Sequence, residues 1–93
     1  MTLLSDADIQ GELKHLAGWK KLGNEIKKTY EFKNFSEAMS FVNYVAFSAE
    51  RLDHHPDIDI RWNKVHLTLS THSEGGITHK DISLAQKIDS LLK

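Results

Sequence analysis

The sequence has no cysteine, one proline, five glycines and no apolar run approaching the ~20 residues of a membrane span. Without cysteine there is no disulfide framework, no thiolate zinc site, no iron–sulfur ligation and no thiol nucleophile, and the chain suits a reducing compartment. Excess charge is missing too: 12 Lys and Arg face 13 Asp and Glu, a formal charge of −1. Broad phosphate binding needs a basic face that displaces counterions, so nucleic acid is not an expected partner. The segment from Met1 to Asp8 is too short and too acidic for a signal peptide. A cytoplasmic protein without membrane contact is expected. At 93 residues, one domain spanning 1–93 is expected, with a core too modest for a sealed ligand cavity. Any site should sit on the surface or between subunits.

What is abundant is histidine: six residues, five of them between His54 and His79. The periodicity around them is clear. Ser5 with Asp6 and Asp8 opens a helix over about 6–17, with Ile9, Leu13, Leu16 and Ala17 at helical spacing and Gly18 as its stop. Residues 19–22 and 25–32 read as a hairpin across Gly23-Asn24. Ser36 is the expected cap of a second helix to Leu52, whose stripe is Ala38, Phe41, Val42, Val45, Ala49 and Leu52. Pro56 forbids its continuation and biases His55 toward extended backbone.

Ile58, Ile60 and Trp62 then alternate with polar residues, as do Val65, Leu67 and Leu69. This predicts a second hairpin with one buried face, turning at Asn63-Lys64. Thr78 and Asp81 have capping-box spacing and open a last helix with Ile82, Ala85, Ile88, Leu91 and Leu92 inward. The order α-β-β-α-β-β-α predicts an α+β two-layer sandwich.

A turn at Asn63-Lys64 would pair Ile60 with Leu67, Ile58 with Leu69, and His55 with His72, while setting His66 opposite Arg61. Opposed Cα atoms lie about 4.5–5.5 Å apart, so imidazoles of the His54, His55 and His72 group are expected to converge. The short Gly75-Gly76 turn would return Asp81 beside them. Imidazole titrates near pH 6.5, so one copy can donate a proton while another accepts one, and a carboxylate can fix the tautomer. Such a set suits proton transfer. No serine stands in a nucleophile-elbow context, so acyl transfer is not expected. Zinc is the competing use of His54, His55, His72 and Asp81. Against it, adjacent histidines on extended backbone project to opposite faces, unlike an i, i+4 helical pair. His15, His66 and His79 read as surface residues.

Glu50-x-x-x-His54-His55-Pro56, Trp62, His72 and Asp81, at these spacings, resemble the signature of the pterin-4a-carbinolamine dehydratase family. The similarity extends to Asn63-Lys64-Val65, Leu69-Ser70-Thr71-His72, Gly75-Gly76-Ile77-Thr78 and Leu84-Ala85, and covers nearly the whole chain. Trp62 stands where the family commonly has tyrosine or another aromatic. The resemblance implies a four-stranded antiparallel sheet packed by three helices, assembled as a homodimer or a homotetramer. It implies dehydration of 4a-hydroxytetrahydropterin to the quinonoid dihydropterin in tetrahydrobiopterin recycling, functionally linked to an aromatic amino acid hydroxylase. No cofactor or metal is implied. His54 and His72 would then be acid and base, His55 would chiefly bind the pterin, Asp81 would orient a histidine, and Glu50 and Trp62 would shape the rim. Some relatives also serve a homeodomain transcription factor as dimerisation cofactors through helix surfaces, which makes a protein-binding module the alternative reading.

Overall fold

Ser5 is extended, and its hydroxyl accepts the Asp8 amide at 3.1 Å, starting α1 (Asp6–Leu13) with Asp6 and Asp8 at the positive end of its dipole. The computed structural model describes residues 2–92. Helix α1 stops four residues before the expected Ala17. Beyond Leu13 the backbone tightens to bonds from His15 to Glu12 and from Leu16 to Leu13, which carry Leu16 into the core. Gly18 then takes φ +87°, and a Cβ there would lie 3.0 Å from the Lys28 side chain.

Strands β1 (Lys20–Leu22) and β2 (Glu25–Glu31) form the expected hairpin across Gly23-Asn24, with Leu22 opposite Glu25. Helix α2 (Phe35–Leu52) is capped by Asn34 rather than by Ser36. Asn34 is extended and its Oδ1 accepts the Glu37 amide at 2.9 Å, whereas Ser36 is already inside the first turn. Strands β3 (Asp57–Arg61) and β4 (Lys64–Leu69) follow, then a 3₁₀ turn (His72–Glu74) and α3 (His79–Ser90). The element order and α+β class match the expectation, and the sheet is antiparallel in the order β1-β2-β4-β3.

Ile26, Tyr30, Val65, Leu67 and Leu69 share the covered face of the sheet, where they meet Phe41, Val45 and Ala49 of α2 and Ile82, Ala85 and Ile88 of α3. The opposite face, with Lys27, Thr29, His66 and Thr68, stays polar. Strand β3 is an edge, and its expected buried face is only partly covered: Ile58 is 37% exposed and Trp62 69%. Leu52 and Leu92, both expected inward, are exposed as well.

A second hydrogen-bonded centre closes the far side of the core. One Asp89 carboxylate accepts from Trp19 Nε1 (3.2 Å), Lys28 Nζ (2.9 Å) and the Tyr30 hydroxyl (2.5 Å), tying α3 to β2 and to the residue just before β1. Burial, then the bond to Asp89, pushes the Tyr30 phenol well above its ordinary value of 10.0. The folded chain therefore holds that proton more tightly than the unfolded chain does. The resulting stability is complete below about pH 10 and drains away as pH rises past it. Tyr30→Phe is expected to cost about 1–2 kcal/mol at neutral pH and to flatten the loss of stability between pH 9 and 11, read by urea unfolding. Parallel curves for the two proteins would refute this.

Candidate active site

The end of α2 aims the first site residue. Asp53 adopts a left-handed conformation (φ 50°, ψ 45°), its amide bonds back to Glu50, and the His54 amide bonds to the Ala49 carbonyl at 3.0 Å. Glycine usually holds such a position, and Asp is among the few residues that tolerate it. The reversal turns His54 beneath the helix end, and Pro56 keeps the chain from resuming the helix. His54 is buried at 9% exposure.

The start of α3 supplies its partner. Thr78 accepts the Lys80 amide at 3.2 Å, and Asp81 Oδ2 accepts the Thr78 amide at 2.9 Å, completing the expected capping box. The other carboxylate oxygen, Asp81 Oδ1, lies 2.5 Å from His54 Nε2. Asp81 has no exposed surface. Since the carboxylate accepts, His54 carries its proton on Nε2 and leaves Nδ1 for chemistry. Among the described residues no fully buried side-chain nitrogen or oxygen lacks a partner, and His54 Nδ1 has none among them, so the ring opens to solvent at that atom.

Between them lies a turn. The Thr71 amide bonds to the Gly76 carbonyl at 2.8 Å, with Gly75 left-handed at φ 74°, so the chain doubles back and sets Thr78 and Asp81 against the end of β4. Thr71 Oγ1 bonds to Asp81 Oδ2 at 2.9 Å.

The other candidates stand differently. His55 faces away from His54, as neighbours on extended backbone do, and its Nε2 is hydrogen-bonded to the Glu50 carboxylate on the exposed surface. His72 is exposed in the 3₁₀ turn, directly after Thr71, and its side chain has no hydrogen-bond partner among the described residues. The expected pairing of His55 with His72 does not form. The hairpin turns at Trp62-Asn63 instead, with Arg61 opposite Lys64, Ile60 opposite Val65 and Ile58 opposite Leu67, and the ladder stops at Asp57 opposite Thr68. Two anchors move the turn. Asn63 binds Phe32 twice, accepting its amide at 2.8 Å and donating to its carbonyl at 2.9 Å, and Trp62 takes φ +51°, the sign that a two-residue hairpin loop needs. In this register His66 lies opposite Asp59, not Arg61, and bonds Thr29 at 2.8 Å.

Trp62 thus sits at the tip of β3, roughly 20 Å along an extended strand from His55, and this chain does not join it to the His54–Asp81 pair. Nor does a concavity of about 530 Å³ on the polar face of the sheet, lined by Lys27, Asp57, Asp59 and His66 among others, include any of the candidates. We locate the site by its hydrogen bonds, because a buried histidine–carboxylate pair carries chemistry that an open groove of mixed charge does not. Among the described residues no three His, Asp or Glu side chains are grouped to hold a metal ion. Thr71 escaped the reading of the sequence as a site residue, since its partner is ten positions away and only the turn brings them together.

Residues 2–91 match the family model described as pterin 4 alpha carbinolamine dehydratase. The chain belongs to this family. Proteins named pterin-4-alpha-carbinolamine dehydratase from Roseiflexus sp. (strain RS-1) and from Thermomicrobium roseum are each 54% identical over 91 residues, 98% of both chains. These relatives are hydro-lyases by name. The dehydratase fold recurs in a crystal structure from Brucella melitensis described as a transcriptional coactivator/pterin dehydratase, with TM-score 0.93 and 38% identity over 97% of this chain and 98% of that one. A pterin dehydratase-like protein identified as a RuBisCO assembly factor in the alpha-carboxysome shares the fold at TM-score 0.65 and 19% identity, over 78% of this chain and 84% of that one. Fold does not carry activity with it. Family membership and 54% identity to dehydratases, by contrast, make this chain a dehydratase, a hydro-lyase.

Proposed function

We propose that residues 1–93 act as one catalytic unit that dehydrates 4a-hydroxytetrahydropterin to quinonoid dihydropterin by histidine acid/base catalysis, in tetrahydrobiopterin recycling downstream of an aromatic amino acid hydroxylase. The observation that carries the reading is the buried His54–Asp81 pair, 2.5 Å apart, in a chain of the dehydratase family.

The chemistry needs two proton transfers. The C4a–O bond breaks as its oxygen takes a proton and leaves as water, and N5 gives up its proton as the C4a=N5 bond forms. An imidazolium supplies the first proton and a neutral imidazole takes the second, so the enzyme's proton count is unchanged after each turnover. His54, working through Nδ1, and His72 are the acid and base. His55, steadied by Glu50, binds the pterin, and Asp81 orients His54. The absence of cysteine supports a cytoplasmic setting.

A homodimer or homotetramer is the proposed working form. Strand β3 is an edge whose outer side has no partner among the described residues. Two such edges paired antiparallel about a two-fold axis set the hairpin tip of one copy beside the start of β3 in the other. That arrangement supports a rim role for Trp62 across the subunit boundary. On α2, Tyr44 and Phe47 are 61% and 66% exposed one turn apart, an apolar strip that suits a second contact. The same strip favours the alternative of a protein-binding role, which the Brucella melitensis protein's description as a coactivator supports by likeness.

Rapid mixing of the protein with chemically generated 4a-hydroxytetrahydropterin tests the reaction: a rate no higher than spontaneous water loss ends the proposal. Sedimentation of the same preparation tests assembly, and a single 10.6 kDa species at all concentrations removes the oligomer. A partner captured through the α2 strip and retained by His72→Ala would favour the binding role.

A further inference from the structure

Asp81 Oδ2 receives two donors, the Thr78 amide and the Thr71 hydroxyl, each at 2.9 Å. Thr71 spends its only proton on the carboxylate, so its 2.8 Å contact with Thr78 Oγ1 runs from the Thr78 hydroxyl to the Thr71 oxygen. Thr78 Oγ1 in turn accepts the Lys80 amide at 3.2 Å. Thr71 and Thr78 are both buried, at 6% and 0% exposure. Each donor in this chain is a protein group with one acceptor.

From this directional chain, and resting on the dehydratase reading, we infer that Thr71 is a positioning residue for the reaction, acting on His54 through Asp81. A carboxylate held by one amide on one oxygen can still pivot about that bond. A second donor on the same oxygen, coming from the end of β4 rather than from α3, fixes the plane and leaves Oδ1 to His54 Nε2 alone. The imidazole is then held in one tautomer and one orientation, with Nδ1 turned outward. A supporting hydrogen bond of this kind acts on the turnover step and leaves ground-state binding nearly untouched.

Thr71→Val removes the hydroxyl at nearly constant volume, and Thr71→Ser keeps it. In rapid-mixing kinetics Thr71→Val is expected to lower kcat about 10-fold with KM changed less than about 2-fold, and Thr71→Ser to recover kcat to within about 3-fold. Proton NMR of the substrate-free protein supplies a readout independent of turnover. The low-field Nε2 proton of His54 should be visible in the wild type and in Thr71→Ser, and broadened by exchange in Thr71→Val. Should Thr71→Val fail to fold, Thr71→Cys, a weak donor of similar size, carries the same expectations. Wild-type kcat and an unchanged His54 signal in the valine or cysteine protein overturn the inference. So does a serine protein as impaired as the valine one. If no form accelerates dehydration, the dehydratase reading falls, and the NMR comparison alone decides whether Thr71 holds the pair.

Discussion

His54→Gln is expected to slow dehydration of 4a-hydroxytetrahydropterin by about 10²–10⁴, the usual range for loss of a general acid or base, while the protein remains folded. Glutamine is chosen because of what lies under the ring. Asp81 is wholly buried, and His54 Nε2 is the donor to its Oδ1. Alanine would strip that donor away and mix the cost of an orphaned buried carboxylate with the loss of chemistry. A glutamine amide can still donate to Oδ1, yet it cannot carry a proton on and off at pH 7. Stopped-flow rates measured beside urea unfolding separate the two effects. A rate within about twofold of wild type, in a folded protein, would remove His54 from the catalytic set.

Asp81→Asn should be nearly as damaging by a different route. The carboxylate accepts from His54, Thr71 and the Thr78 amide. An asparagine whose oxygen keeps Thr71 and Thr78 turns its amide nitrogen, a donor, toward His54 Nε2. The ring must then flip to the tautomer that accepts at Nε2 and holds its proton on Nδ1, so the outward nitrogen can no longer act as a base. A fall in kcat of about 10²–10⁴ is expected, with a stability loss of about 1–3 kcal/mol. Asp81→Ala should cost more stability, about 3–5 kcal/mol, because the helix cap, the Thr71 hydroxyl and the His54 donor all lose their acceptor together. The tautomer control that Asp81 exerts on His54 would be in question if Asp81→Asn turned over at the wild-type rate, and the cap's weight if Asp81→Ala unfolded at the wild-type urea concentration.

The elements themselves were readable because their causes are local. Apolar spacing in α2 and α3, the Thr78–Asp81 capping box, Gly23-Asn24 between two strands and Pro56 after a helix are each decided within a few residues. Misreadings arose where another group, near or distant, offered the better hydrogen bond. Ser36 lost the cap to Asn34, two residues earlier, because Asn34 is the residue whose side chain reaches the Glu37 amide. The second hairpin turned one residue early because Asn63 binds Phe32, just past the end of β2. Pattern alone cannot detect that shift: it moves each pairing by two, so the same residues still face the core.

The same division runs through the site. Residue types and spacing singled out His54, His55, His72 and Asp81 as candidates, with Glu50 and Trp62 added by the resemblance to the family, and adjacency on extended backbone was enough to send His54 and His55 opposite ways. Only the folded chain decided that His54 is the one that meets Asp81, that His55 takes Glu50, and that Thr71 steadies the carboxylate. It also set Trp62 at the far tip of β3. Alternation and capping are written in neighbouring residues, whereas the meeting of His54, Thr71 and Asp81 depends on a left-handed turn at Asp53, a reversal at Gly75 and the packing of α2 and α3 on one sheet, none of which any single segment encodes.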